Sequence, residues 1–227
     1  MSRSSVSELS ISVISGDPLT FVEDTEKLEL GGIDSYHFDV MDGQFVPRFG
    51  LYPEYLRMLR KITSLPVDIH LMVSDPEIYL NAFAVGEDIR LIPHLECLDH
   101  PIRTLMKIED LGMKAGIAIN PGTHISSIEP VVDFIDSVML MAINPGVVGH
   151  KLLSNTFSRL QELRRIIPTE REVKIILDGG VTFENALELI EAGANTIVCG
   201  AGTVFSDSSR ILENTVKLNK LLGNPTR

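Results

Sequence analysis

Residues 36–43 read YHFDVMDG, an apolar segment that carries His37 and Asp39 where a β-strand is expected to end. Residues 67–72 and 175–180 follow the same pattern: each is an apolar segment with a polar residue near the expected strand end, His70 in the first and Asp178 in the second. A buried imidazole or carboxylate is costly without a partner, so several strands with such ends indicate a partner that they share. A divalent metal ion suits two imidazoles and two carboxylates.

Short β-branched runs alternate with helical patterns on both sides of these segments. Several of the runs are apolar almost throughout, so both faces should be buried, as in a parallel sheet. We expect strands near Ile11–Ile14, Ser35–Val40, Val67–Leu71, Ile89–Ile92, Lys114–Ile119, Ser137–Ile143, Val173–Leu177 and Thr196–Cys199. We expect helices near Phe21–Leu30, Tyr52–Ile62, Pro76–Phe83, Pro101–Leu111, Ile125–Val132, Ser154–Ile166, Phe183–Glu191 and Ser209–Leu222.

Eight strand–helix units in 227 residues predict an α/β protein of the (β/α)₈ TIM-barrel class. We expect one domain over residues 1–227, with function at the C-terminal ends of the strands. A doubly wound open sheet is the alternative, but no GxGxxG sequence follows the first strand.

Composition excludes several classes of partner. The net charge of −11 argues against a nucleic-acid surface, and the apolar runs are too short to span a membrane. Cys97 and Cys199 form no CxxC pair, which favours reduced thiols. The segment Met1–Ser10 lacks the apolar stretch of a signal peptide. We therefore expect a cytoplasmic protein.

The four strand-end residues predict an acid/base centre as well as a metal site. His37 and Asp39 share one face of their strand, and His70 and Asp178 would reach the same barrel mouth. Two carboxylates on roughly opposite sides could remove a proton next to a carbonyl and return one from the other face. A metal would stabilise the enediolate formed between these steps. Taken singly, each histidine is better explained as an ordinary core residue, and Asp42 before Gly43 fits a turn role.

Methionines and glycine-containing turns complete the pattern at the barrel mouth. The methionines near strand ends could fill the core individually or form an apolar lid together. The turns at residues 144–149, 178–180 and 200–202 follow strands six, seven and eight, where barrels of this class often bind phosphate through backbone amides. A metal and a phosphate site together predict a phosphorylated keto sugar as the ligand. The candidate substrate contacts are Met41, Met72, Met141, Gly146, Gly149, Gly179, Gly180, Gly200 and Ala201.

Together these residues resemble the ribulose-phosphate 3-epimerase family over Ile11 to about Leu222. The matching pieces are His37-x-Asp39-Val40-Met41-Asp42-Gly43-x-Phe45-Val46-Pro47, His70-Leu71-Met72, His94-x-Glu96, Asn120-Pro121-Gly122-Thr123, Asn144-Pro145-Gly146 and Asp178-Gly179-Gly180-Val181.

The resemblance implies a metal held by His37, Asp39, His70 and Asp178, with the two aspartates inverting carbon 3 of a phosphoketose. It also implies that Ser12 contacts the substrate and that the three methionines cap it. Zinc or iron are the expected metals, with manganese or cobalt as alternatives. The default reaction converts D-ribulose 5-phosphate to D-xylulose 5-phosphate, and we expect a homo-oligomer.

Departures from the family pattern keep other functions open. Arg48 stands where an asparagine is usual, residues 144–150 read NPGVVGH rather than NPGFGGQ, and the turn at residues 200–202 lacks the usual hydroxyl. The loss of a glycine at Val148 could change the path of its loop. A hexulose-6-phosphate (allulose 6-phosphate) 3-epimerase and a non-catalytic sugar-phosphate-binding barrel are the alternatives. Keto-sugar-phosphate decarboxylation or aldol cleavage ranks low, because the Asp-x-Lys-x-x-Asp pattern is absent. We assign His94 and Glu96 to structural roles, and His150 lies in the candidate phosphate loop.

Overall fold

The computed structural model describes residues 7–86, 88–147 and 149–224. Eight parallel strands form a closed barrel in chain order, with β8 paired to β1. The predicted TIM barrel is therefore confirmed, and the doubly wound sheet is excluded. The strands are β1 (Glu8–Ser12), β2 (Ser35–Met41), β3 (Val67–Met72), β4 (Ile89–Pro93), β5 (Lys114–Ile119), β6 (Ser137–Met141), β7 (Lys174–Asp178) and β8 (Thr196–Cys199).

Helices cover the outside of the barrel, and none of those described is long and apolar enough to cross a membrane. Between β5 and β6 the expected helix is a 3₁₀ helix, Ile125–Phe134, which contains Pro130. The missing N–H of this proline disfavours a regular α-helix there. The α-helices found in the described ranges are α1 (Phe21–Leu30), α2 (Pro53–Ile62), α3 (Leu80–Phe83), α4 (Pro101–Asp110), α5 (Thr156–Ile166), α6 (Ala186–Glu191) and α7 (Ile211–Leu221).

The predicted bounds of the first strand, Ile11–Ile14, are wrong. The strand begins at Glu8, whose partner in register is Thr196 on β8, and ends at Ser12. Residues 13–15 form a 3₁₀ turn that leaves the barrel wall. The predicted run extends two residues beyond the last ladder pair and omits the first three residues of the strand, so it is displaced along the chain. Ser12 is consequently the terminal residue of β1, at the barrel mouth.

Alternation along β2 places the polar residues inside the barrel. Tyr36, Phe38 and Val40 belong to the large apolar core between strands and helices. The intervening residues, His37 and Asp39, point to the other face, as expected for a strand period of two. Helices cover the outer face of β2 and the barrel interior encloses its inner face, so the strand is buried along its whole length although it carries two polar groups.

Below the mouth, the barrel interior contains an apolar layer and then an ion pair. Ile92, Met139 and Ile176 are members of the apolar layer. Deeper in the barrel, Arg90 Nη1 lies 2.7 Å from Asp68 Oδ1, and both side chains are largely buried. The charge of Asp68 is thus balanced by the protein itself. Side chains fill the interior below the mouth, so a ligand site is expected at the C-terminal ends of the strands.

Candidate metal and acid/base centre

The four residues predicted to form one centre do converge. One ligand atom from each of His37, Asp39, His70 and Asp178 can be chosen so that all lie within 4.8 Å of one another. Strand register explains why two of the four residues are close together, because Asp39 on β2 is the direct partner of His70 on β3. Asp178 approaches from β7, on nearly the opposite side of the closed barrel.

Both imidazoles direct a nitrogen at the two carboxylates. His37 Nε2 lies 3.1 Å from Asp39 Oδ1 and 3.8 Å from Asp178 Oδ2. His70 Nδ1 lies 3.5 Å from the same two oxygen atoms, yet has no hydrogen-bond partner among the described residues. An unpartnered, fully buried nitrogen between two carboxylates is the environment of a metal ligand. The donor set therefore fits a divalent cation.

Electrostatics within the centre separates the two carboxyl groups. Burial acts to raise the pKa of Asp39, but the charge and hydrogen bond of His37 outweigh it and hold that pKa well below its usual range. Burial raises the pKa of Asp178 to about 6, despite the opposing charge of His37. Burial lowers the pKa of His70 to about 3, so its ring is neutral and keeps a lone pair for a cation.

Ser12 holds one of these carboxylates. Its Oγ donates a hydrogen bond of 2.8 Å to Asp39 Oδ2, while Asp39 Oδ1 faces the imidazoles. The end of β1 therefore orients a residue of β2, a contact that the sequence did not predict for Ser12. The side chain also borders the cavity above the centre.

A cavity of about 620 Å³ opens over the centre at the C-terminal ends of the strands. It includes every residue predicted to contact substrate, together with Asp39 and Asp178. Arg48 and Lys151 also line it, and neither was among the predicted substrate contacts. Val148 lies outside the described residues. The predicted contacts that line the cavity are Ser12, Met41, Met72, Met141, Gly146, Gly149, Gly179, Gly180, Gly200 and Ala201.

Two glycines in the cavity wall have backbone requirements that only glycine meets easily. Gly179 has a φ of +99°, and a Cβ there would lie 2.4 Å from Ile143 Cγ1. Gly146 has a φ of +75°, and a Cβ there would lie 2.6 Å from Val46 Cβ. The loop after β6 thus packs closely against the residues after β7 and against the loop after β2, which leaves its backbone near the cavity.

Two residues given structural roles from sequence reach this centre. His94 Nε2 lies 2.8 Å from His70 Nε2, and His94 Nδ1 lies 3.2 Å from Glu96 Oε2. The His94-x-Glu96 sequence was the available signal, since two titratable groups two positions apart directly after β4 stand at the same barrel mouth. Asp42, in contrast, has the predicted turn role, because its Oδ1 accepts hydrogen bonds from the backbone N–H groups of Gln44 and Phe45.

The closed barrel and its convergent imidazoles and carboxylates define a TIM-barrel enzyme with a possible metal centre. The model of a family described as "Ribulose-phosphate 3 epimerase family" matches residues 8–205. The chain belongs to the ribulose-phosphate 3-epimerase family and is an epimerase of the isomerase class.

Curated relatives support this assignment, and a solved structure shares the fold. Ribulose-phosphate 3-epimerase of Bacillus subtilis (strain 168) is 40% identical over 202 residues, which cover 88% of this chain and 92% of the relative. The enzyme of the same name from Aquifex aeolicus (strain VF5) is 38% identical, with 94% and 96% covered. The crystal structure of KGPDC from Streptococcus mutans has a TM-score of 0.70 at 11% identity, covering 96% of this chain and 98% of that one. That likeness shows the barrel fold alone.

Proposed function

We propose that this protein is a metal-dependent epimerase that interconverts D-ribulose 5-phosphate and D-xylulose 5-phosphate at carbon 3. The observation that carries the proposal is the convergence of Asp39 and Asp178, from strands on nearly opposite sides of the barrel, on two buried imidazoles. The names of the curated relatives support the choice of the pentulose phosphate.

His37, Asp39, His70 and Asp178 would hold the cation. Zinc and iron suit this mixed set of nitrogen and oxygen donors, with manganese or cobalt as alternatives. When bound, such an ion supplies Lewis-acid stabilisation of the negative charge that develops on a substrate oxygen. The unpartnered Nδ1 of His70 supports this assignment.

The two aspartates would exchange protons with carbon 3 from opposite faces. One carboxylate removes the proton, and the other, in its protonated form, delivers a proton to the opposite face and inverts the carbon. Their approach from β2 and β7 supports this pairing, because an acid and a base are needed on opposite faces of the carbon. Ser12 would fix the carboxylate of Asp39 in the direction of the reacting carbon.

The loops after β6, β7 and β8 would bind the phosphate. Gly146, Gly179 and Gly200 bring the backbone close to the cavity, where amide groups can hold an anion without a charged side chain. Arg48 and Lys151 add positive charge to the same cavity. The methionines at positions 41, 72 and 141 would cover the reacting carbons and exclude water.

Deuterium exchange tests the proposal directly. The metal-loaded protein is incubated in D₂O with D-ribulose 5-phosphate or with allulose 6-phosphate, and exchange at carbon 3 is followed by NMR, with metal-free protein as the control. Metal-dependent exchange and formation of xylulose 5-phosphate are expected. Faster turnover of allulose 6-phosphate would make that sugar, rather than ribulose 5-phosphate, the proposed substrate. No exchange with either sugar would indicate a barrel that binds sugar phosphates without this activity.

A further inference from the structure

A series of hydrogen bonds leads from the loop after β4 into the candidate metal centre. Glu96 Oε2 contacts His94 Nδ1 at 3.2 Å, and His94 Nε2 contacts His70 Nε2 at 2.8 Å. Both imidazoles are fully buried, and the ring of Phe45 lies over His94 with the ring centres 4.6 Å apart. The series ends at His70 Nδ1, the nitrogen that faces the two aspartates.

The chemistry of the three groups sets the direction of these bonds. A carboxylate only accepts, so the proton between Glu96 and His94 belongs to His94 Nδ1. The buried, neutral ring of His94 then has a lone pair at Nε2, which must accept a proton from His70 Nε2. With its proton on Nε2, the neutral ring of His70 has a lone pair at Nδ1.

We propose that Glu96 and His94 are positioning residues that hold His70 in the one tautomer able to bind the cation through Nδ1. This inference rests on the proposed metal site and adds two residues to it. A histidine ligand commonly donates its other N–H to a partner that fixes its tautomer and orientation. Here that partner is a second histidine, itself fixed by a carboxylate.

The loop after β5 holds Glu96 in the orientation that the series needs. Glu96 Oε1 accepts a hydrogen bond of 2.8 Å from the backbone N–H of Asn120 and another from the Thr123 hydroxyl, which leaves Oε2 for His94. Arg159 donates to the carbonyl groups of Asn120 and Thr123 and so braces this loop. Burial acts against ionisation of Glu96, but the hydrogen bonds from His94, Thr123 and Asn120 bring its pKa to about 2.

The isosteric variant Glu96→Gln reverses the donor–acceptor direction of each hydrogen bond in the series and leaves the side-chain volume unchanged. The backbone N–H of Asn120 can only donate, so it selects the carbonyl oxygen of the new side chain and turns the NH₂ group towards His94. His94 Nδ1 must then accept, its Nε2 must donate, and His70 is driven to carry its proton on Nδ1. That proton lies where the cation would bind.

The test measures the affinity for Zn²⁺ by competition with a chromophoric chelator. We expect Glu96→Gln to weaken binding about 10- to 100-fold. The matched control Thr123→Val removes one of the two hydrogen bonds to the other oxygen of the same carboxylate. The backbone N–H of Asn120 still holds that oxygen and the direction of the series is preserved, so the affinity for Zn²⁺ should stay near that of the wild type. Thermal unfolding of the metal-free proteins shows that each variant is folded.

Histidine ¹⁵N NMR of the metal-free protein supplies the second readout. The wild type should show the Nε2–H tautomer of His70, and Glu96→Gln should show the Nδ1–H tautomer. Wild-type affinity in Glu96→Gln, or weakened affinity with an unchanged tautomer, would overturn the inference. A wild-type protein that binds no Zn²⁺, Fe²⁺, Mn²⁺ or Co²⁺ would refute the proposed metal site instead, and the positioning role with it.

Discussion

Replacing Asp178 by asparagine tests whether two carboxylates share the work of inversion. The amide has the same shape as the carboxyl group, and its carbonyl oxygen can still accept the backbone hydrogen bond from Gly179. What the variant loses is the group that exchanges a proton on one face of carbon 3. Asp39 remains on β2, held by the hydroxyl of Ser12.

The expected loss in turnover is large, because proton transfer by a positioned side chain is worth about 10²–10⁴-fold, or about 3–5 kcal/mol in the barrier. Weaker metal binding adds to it, so the assay uses saturating metal. The fold should survive, since burial disfavours the charge of Asp178 by more than the charge of His37 favours it, and the neutral amide avoids that cost. Urea unfolding of the metal-free proteins checks this, with no loss of stability expected.

The sharper expectation concerns exchange without inversion. Because Asp39 can still remove and return a proton on its own face, the Asp178→Asn variant should exchange the carbon 3 proton of one epimer with D₂O and form almost none of the other. Asp39→Asn should show the converse preference. Epimerisation by Asp178→Asn within about ten-fold of the wild-type rate would refute the two-carboxylate reasoning, since such a loss is below the usual contribution of one acid/base group.

Three further changes probe the centre and the barrel beneath it. Ser12→Ala removes the hydrogen bond to Asp39 Oδ2, so kcat should fall on the order of ten-fold while urea unfolding is little changed; an unaltered kcat would contradict the orienting role. Arg90→Met leaves Asp68 buried without its partner and should cost about 3–5 kcal/mol in urea unfolding, most of it recovered when Asp68→Leu is added. Chelation should abolish epimerisation and lower Tm, because an ion at about 100 times its Kd stabilises by about 2.7 kcal/mol; equal Tm values with and without metal would argue against the site.

The sequence predicted the barrel from its eight strand–helix units, and the meeting of four polar residues from their positions on the strands. A strand that is apolar on its outer face and polar at its inner C-terminal end has few places in which to lie. This description fits the strands that carry His37, Asp39, His70 and Asp178, and closure of the eight-stranded barrel brings the ends of these strands together. The single-domain assignment over residues 1–227, the homo-oligomer and the cytoplasmic location stay predictions.

What the sequence did not predict depends on contacts between distant residues. His94 meets His70 across 24 positions, and this contact depends on a register that pairs His70 with Ile92, two residues before His94. The same holds for the hydroxyl of Ser12, which meets Asp39 across 27 positions. The end of β1 was misplaced because an apolar run reveals burial but not the last ladder hydrogen bond. The hydrophobic pattern therefore predicted which face of a strand each side chain occupies, and the register between strands determines which residues it contacts.

The strongest argument for a cation comes from comparing the two polar layers inside the barrel. In the lower layer, Asp68 is matched by Arg90 at 2.7 Å, so the protein supplies both charges. In the upper layer, Asp39 and Asp178 face each other across two imidazoles, of which only His37 has a raised pKa, about 9, caused by those carboxylates against the effect of its burial. Even a protonated His37 would balance just one of two negative charges. Buried charges persist when they are paired or bind a metal, so the upper layer is incomplete as a purely protein structure. A divalent ion would complete it and displace the proton of His37.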